Sequence, residues 1–234
     1  MARHKRIQIP GLIRHVMSRG NGRMCIFTDD DDYRQFVHLL GEVVEEFEAE
    51  CWNYCAMPNH YHASLRPTRP NLSDAIRCLN STYAQWWNKR HGRVGHVFQG
   101  RFKDQVVERD DYLLTLSRYV VMNPVRAGLV EHPDAWAWSS YRATVGLTPR
   151  QEFLSVSSTL RLFGDEEERV LQERFADFVL ARPEDAVAVD RLRSNERILG
   201  SREFKAWIRG STSPQTDQSG LAPAIISATG GSVL

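Results

Sequence analysis

The sequence predicts an α+β fold, an antiparallel sheet with helices packed on one face and a small helical appendage at the C-terminal end. Two long stretches repeat apolar residues at three- and four-residue steps. Two short β-prone runs flank Pro58-Asn59, and the elements follow one another in the order βαββαβα.

The first strand is expected over Leu12 to Arg19, followed by the turn-rich Gly20-Asn21-Gly22. The acidic run Asp29 to Asp32 suits the start of a helix, because carboxylates favour the positive end of the helix dipole. The helix itself shows one stripe, Tyr33, Phe36, Val37, Leu40, Val43, Val44 and Phe47, and should end near Glu50. Cys51 to Met57 and His60 to Arg66 read as a hairpin, since Pro-Asn favours a turn. A second helix carries Leu72, Ala75, Ile76, Leu79, Tyr83, Trp86 and Trp87, with Asn71 or Ser73 to cap its start and Gly92 to end it. Phe102 to Val107 reads as a fourth strand, and Asp110 to Asn123 as a third helix stopped by Pro124. With two strands joined as a hairpin and helices in the other connections, the sheet should keep one face free.

Three regions follow: a main domain over 1–150, a helical appendage over 151–209 and a mobile tail over 210–234. The appendage rests on the stripe Leu171, Phe175, Phe178 and Val179 within Glu166 to Ala181. The tail is rich in Ser, Gly, Thr and Pro, with one charged residue, Asp217.

Composition bounds the function without choosing it. The 42% hydrophobic and 25% charged residues are ordinary for a globular protein. Residues 1–150 carry 20 Lys and Arg against 16 Asp and Glu, and residues 151–234 carry 10 against 13. That tilt permits a nucleic-acid partner but leaves affinity to a local basic patch. Cys25, Cys51, Cys55 and Cys78 show no C-x-x-C spacing, so reduced thiols and a cytoplasmic location are expected. Cys51 and Cys55 should share a strand face, too far apart to bridge. No apolar run reaches the roughly 18 residues that span a bilayer.

The chemistry gathers on the third strand. Strand alternation turns Tyr61, Ala63 and Leu65 toward the helices and His60, His62, Ser64 and Arg66 to the other face. Two imidazoles side by side suit one metal ion, but they equally suit a solvated strand. On the third helix Tyr119 and Asn123 stand four residues apart on one face, beside Leu113, Leu116 and Val120. The bland account of these two is a core-edge aromatic and a helix terminus.

Five ordered stretches narrow the reading: Val16-Met17-Ser18-Arg19-Gly20-Asn21, Met57-Pro58-Asn59-His60-Tyr61-His62, Gly95 to Lys103, Arg118-Tyr119 through Asn123-Pro124-Val125-Arg126-Ala127-Gly128, and Trp138-Ser139-Ser140-Tyr141. With them the chain resembles the REP-associated tyrosine transposases, a branch of the HUH single-strand DNA transposases, from about Gly11 to Gly146. The resemblance implies a ferredoxin/RRM-like HUH nuclease fold. It implies that His60, His62 and Asn123 hold Mg²⁺ or Mn²⁺ and that Tyr119 is the nucleophile, forming a 5′-phosphotyrosine intermediate. Free tyrosine has a pKa of about 10, so activation is required.

The partner implied is single-stranded DNA with a REP-like hairpin and a short 5′ single-stranded guide; monomer and homodimer both stay open. Candidate DNA contacts are Arg14, Arg19, Arg23, Lys89, Arg90, Arg93, Arg101, Lys103 and Arg126, with Phe98 or Phe102 stacking a base. Two other readings stand beside this one. An RRM-like binding module would use aromatics on the free face. An HxH metal-dependent hydrolase would activate water and form no covalent intermediate.

Overall fold

A computed structural model describes residues 6–109, 111–181, 186–194 and 196–212. Five strands form one sheet in the order β2-β3-β1-β4-β5: β1 (Ile13–Arg19), β2 (Ala49–Met57), β3 (His60–Pro67), β4 (Lys103–Val107) and β5 (Ile198–Leu199). The first four pair antiparallel, and β5 joins the edge of β4 in parallel. The α+β class and the βαββαβα order are those expected. The fifth strand, two residues long, carries too little pattern to be read from sequence.

One face is packed by α1 (Asp30–Glu46) and α2 (Leu72–Arg90). Register sets Val16 beside Ala63 and Ser18 beside Tyr61, so the inward residues of β1, β2 and β3 form one apolar surface. Phe36, Leu40 and Val44 of α1 and Ile76, Leu79 and Tyr83 of α2 fill it. Each such side chain contributes about 1.5–3 kcal/mol by leaving water. The Asp29 carboxylate caps α1, accepting from the backbone N–H of Asp31 and Asp32. α1 stops at Glu46, four residues before the expected end, and Glu48 takes a positive φ of 51° at the turn into β2. Asn71 sits at the start of α2 without capping it; its amide donates instead to the carbonyl of Phe47.

The opposite face is not free. α3 (Asp111–Val121) covers much of it, because Ile13, Trp52, Cys55, Met57 and Val107 are apolar there and meet the stripe Leu113, Leu116 and Val120. A sheet apolar on both faces needs both covered. A polar ladder fixes the helix in place: Ser64 Oγ donates to Asn53 Oδ1 (2.6 Å), and Asn53 Nδ2 donates to Ser117 Oγ on α3 (2.9 Å). Ser64, expected beside an open site, is thus a buried anchor. Pro124 does not end the helical path: α4 (Asn123–Arg126) begins there, with proline in its first turn, where the missing N–H costs nothing.

A β-bulge between Cys51 and Asn53 reverses the alternation of β2. Cys51 therefore joins the α1/α2 core and Cys55 the α3 core, on opposite faces rather than one. All four cysteines are free.

After residue 140 come α5 (Tyr141–Thr144), α6 (Val156–Leu160), α7 (Glu168–Leu180), α8 (Ala186–Arg193) and α9 (Arg202–Ser211). The expected helix is α7, and its Leu171, Phe175 and Val179 are buried with Tyr141, Val156 and Leu160 in the main core. Val189 and Leu192 of α8 pack under α3, and Phe204 and Ile208 of α9 pack on Leu12 and Val106. These helices complete the same cores as the strands. Gly210 and Ser211 lie inside α9 and Thr212 ends it; the rest of the expected tail, 213–234, is outside the described residues. Among the described residues no helix is long and apolar enough to cross a membrane.

Candidate active site

What α3 leaves open on its face of the sheet is a strip carrying His15, His60 and His62. Met17 of β1 lies opposite His62 and Arg19 opposite His60, so these side chains share the face with the two histidines. Pairing across β4 sets Gln105 opposite His15. His15, absent from the sequence-derived candidates, is the third imidazole. A lone histidine in β1 has no spacing partner in the sequence; its partner stands on the neighbouring strand.

The three rings form a contiguous group. His15 Nε2 lies 2.8 Å from His62 Nδ1, with the rings stacked at 5.1 Å between centroids. His60 and His62 meet edge to face at 5.0 Å, and His60 Nδ1 bonds Asn59 Oδ1 at 2.6 Å. Burial pushes His15 and His60 down to about 4. It drives His62 well below the usual histidine range, with His15 and His60 adding to the effect. All three are therefore neutral imidazoles at neutral pH, the form in which histidine binds metals.

Tyr119 closes this group from above. Its ring sits edge-on to His62 at 5.6 Å and to His15 at 5.7 Å. It is largely buried, yet lines a cavity of about 660 Å³ together with the three histidines, Asn123 and Arg126. Arg126 reaches back from α4, its guanidinium carbon 4.4 Å from the Tyr119 ring centre, and donates to the Tyr119 carbonyl. Asn123 donates its amide to the carbonyls of Tyr119 (2.9 Å) and Val120 (3.2 Å), satisfying the end of α3. Its side-chain oxygen remains as an acceptor.

Among the described residues no group of three or more His, Cys, Asp or Glu side chains is arranged to hold a metal ion. The donor set to be tested is therefore His60, His62 and the Asn123 oxygen. Both histidines are held through Nδ1, which leaves Nε2 on each as the nitrogen available to a metal ion. Two neutral imidazoles and one amide oxygen in an open cavity fit a divalent ion that fills its other positions with water or phosphate oxygen.

The cavity wall is basic. Arg6, Arg19, Arg101, Lys103, Arg126, Arg193 and Arg197 line it against Asp104 and Glu196. Of the expected DNA contacts, Arg19, Arg101, Lys103 and Arg126 are at this wall. Arg23, Lys89 and Arg93 are exposed away from it. Arg14 is not at a surface: it is buried on the α1/α2 side, paired with Asp104 and donating to the Ile7 carbonyl. Arg90 is engaged by Asp29 and Asp32.

Phe98 is buried against Tyr61 and Tyr83, and Phe102 is buried under the Arg6 guanidinium, 3.5 Å from the ring centre. Neither ring offers a free face to a base, so Phe98 and Phe102 do not form the aromatic platform of a base-stacking module. The Gly95 to Lys103 motif has a different task. Gln99 N–H donates to Arg19 O and Asn21 N–H to Val97 O, zipping the loop to the end of β1 and setting Arg101 and Lys103 at the cavity. Gly20 permits the tight turn that follows β1, since a Cβ there would stand 2.2 Å from the Met24 carbonyl oxygen. The Trp138 to Tyr141 motif likewise pairs with the outer edge of β2, with Ala56 N–H donating to Trp138 O and Ser140 N–H to Tyr54 O.

Comparison with known proteins finds relatives of this sequence and of this fold. Residues 8–123 match the family model described as transposase, IS200-like. A REP-associated tyrosine transposase assignment in Haemophilus influenzae belongs to a protein 23% identical over 146 residues, covering 58% of this chain and 83% of that one. A solved structure, that of a REP-associated tyrosine transposase bound to a REP hairpin, superposes with a TM-score of 0.54 at 21% identity. The match covers 64% of this chain and 89% of that one.

Proposed function

We propose, from the premise that residues 8–123 belong to the IS200-like transposase family, that this chain cleaves and rejoins single-stranded DNA at REP-like hairpins with Tyr119 as nucleophile. The observation that carries the reading is the placement of Tyr119 edge-on to His62, inside a cavity walled by arginine and lysine. A tyrosine that only filled a core would need neither neutral imidazoles beside it nor a polyanion-sized basic opening before it.

In this reading the Tyr119 oxygen attacks a backbone phosphorus, and the bond from phosphorus to the 3′ oxygen breaks. The DNA keeps a free 3′-hydroxyl, and the 5′ phosphate is esterified to the enzyme. One diester replaces another, so a later 3′-hydroxyl can reverse the step without ATP. Arg126 orients the Tyr119 ring, and Arg19, Arg101 and Lys103 hold phosphates on either side of the scissile one. His60, His62 and Asn123 are the residues that would hold Mg²⁺ or Mn²⁺. Such an ion, when bound, supplies Lewis-acid polarisation of the phosphate. The partner is a hairpin with a single-stranded 5′ flank, in keeping with the hairpin bound by the structural relative.

The test is incubation with REP-like hairpin oligonucleotides and Mn²⁺, read on a denaturing gel. A protein–DNA adduct that forms with the wild type and not with Tyr119→Phe supports the reading. Cleavage without an adduct transfers the site to a hydrolase that activates water.

A further inference from the structure

The polar atoms behind His62 form a chain whose donors and acceptors are fixed from one end. Gln105 Nε2 lies 2.8 Å from the Glu196 carbonyl and 3.2 Å from the Arg191 carbonyl. Carbonyl oxygens only accept, so the NH₂ of Gln105 faces them and its Oε1 faces His15 Nδ1 at 2.9 Å. His15 therefore carries its proton on Nδ1. Its Nε2, 2.8 Å from His62 Nδ1, is a lone pair, and so His62 also carries its proton on Nδ1. All three side chains are buried, and unsatisfied polar atoms there are costly, which holds the polarity from end to end.

We propose that Gln105 is a positioning residue which, acting through His15, holds His62 in the Nδ1–H form with its Nε2 lone pair free for a divalent cation. The last turn of α8 and the backbone just after it are part of the device, since the Arg191 and Glu196 carbonyls orient the Gln105 amide. The cation half of this proposal rests on the reading of His62 as a metal ligand; the tautomer half does not.

The test is long-range ¹H–¹⁵N NMR of the imidazoles in the metal-free full chain, followed by Mn²⁺ titration without DNA. The wild type should show Nδ1–H for both His15 and His62. Gln105→Leu should bring the Nε2–H form of His62 into the spectrum and weaken Mn²⁺ binding about tenfold, the lower end of the range for lost outer-shell partners. Gln105→Glu, which keeps an acceptor toward His15, should retain the His62 tautomer. A wild-type His62 in the Nε2–H form overturns the proposal, whatever the variants do. So does a folded Gln105→Leu with unchanged tautomer and Mn²⁺ affinity. If His62→Ala binds Mn²⁺ as tightly as the wild type, the ligand reading fails and takes the cation half with it, while the tautomers are judged separately.

Discussion

His15 Nε2 and His62 Nδ1 stand 2.8 Å apart in a buried, stacked pair, joining the first strand of the sheet to the third through two neutral imidazoles. Neither ring can take up a proton without losing this bond or burying a charge. The contact therefore makes the metal-free protein sensitive to acid.

The sign follows from where the protons go. His15 and His60 titrate near 4 in the fold but near 6.5 once exposed, so between those values the unfolded chain binds more protons. Stability is full above about pH 6.5 and falls as pH drops toward 4, by about 1 kcal/mol per pH unit for each histidine. Chemical denaturation in chelator at pH 7, 6 and 5 should show the loss, and His15→Gln should make the slope shallower. A flat profile across that window would contradict the burial of these rings.

Arg126 lies over Tyr119 and binds its carbonyl. Arg126→Ala should lower the rate of adduct formation by ten-fold or more and weaken hairpin binding only severalfold. Arg126→Lys should recover part of the binding but little of the rate, because an ammonium cannot stack as a planar guanidinium does. Single-turnover rates and titrations measured side by side check this; equal losses in both would make Arg126 a phosphate contact alone.

Asn123 ties off the end of α3 through the carbonyls of Tyr119 and Val120. Asn123→Ala should cost about 1 kcal/mol of stability in addition to any loss of Mn²⁺ affinity. A thermal melt without metal separates the two effects, and an unchanged melt would leave Asn123 with no structural task.

The C-terminal helices should prove integral to the fold. Phe204 is buried against Leu12 and Val106, so Phe204→Ala should cost about 3–5 kcal/mol. A loss below 1 kcal/mol would mean that α9 docks only loosely on the sheet.

How far the sequence reaches is clear from single residues. Strand alternation sets Tyr61 on one face and His60 and His62 on the other, and the structure keeps that division, although the second face is covered too and His62 is buried. The same alternation in β1 puts Arg14 on the side of Val16, under the helices. Arg14 has the charge of a DNA contact but the parity of a core residue. His15 was hidden because its partner comes from another strand, and Gln105 because an amide in a short strand has no motif. The bulge at Cys51 reverses parity without any glycine to announce it, and the cover of α3 over the second face depended on apolar residues scattered across three strands. Local periodicity is written in the chain; the pairing that gathers distant residues is not.

A covalent bond between Tyr119 and DNA is read without ambiguity by mass spectrometry of the trapped adduct after protease and nuclease digestion. One modified peptide is expected, carrying a nucleotide through its 5′ phosphate on Tyr119, and no such peptide from Tyr119→Phe. A nucleotide on Tyr112 or any other residue, or cleaved DNA with no modified peptide, would contradict it.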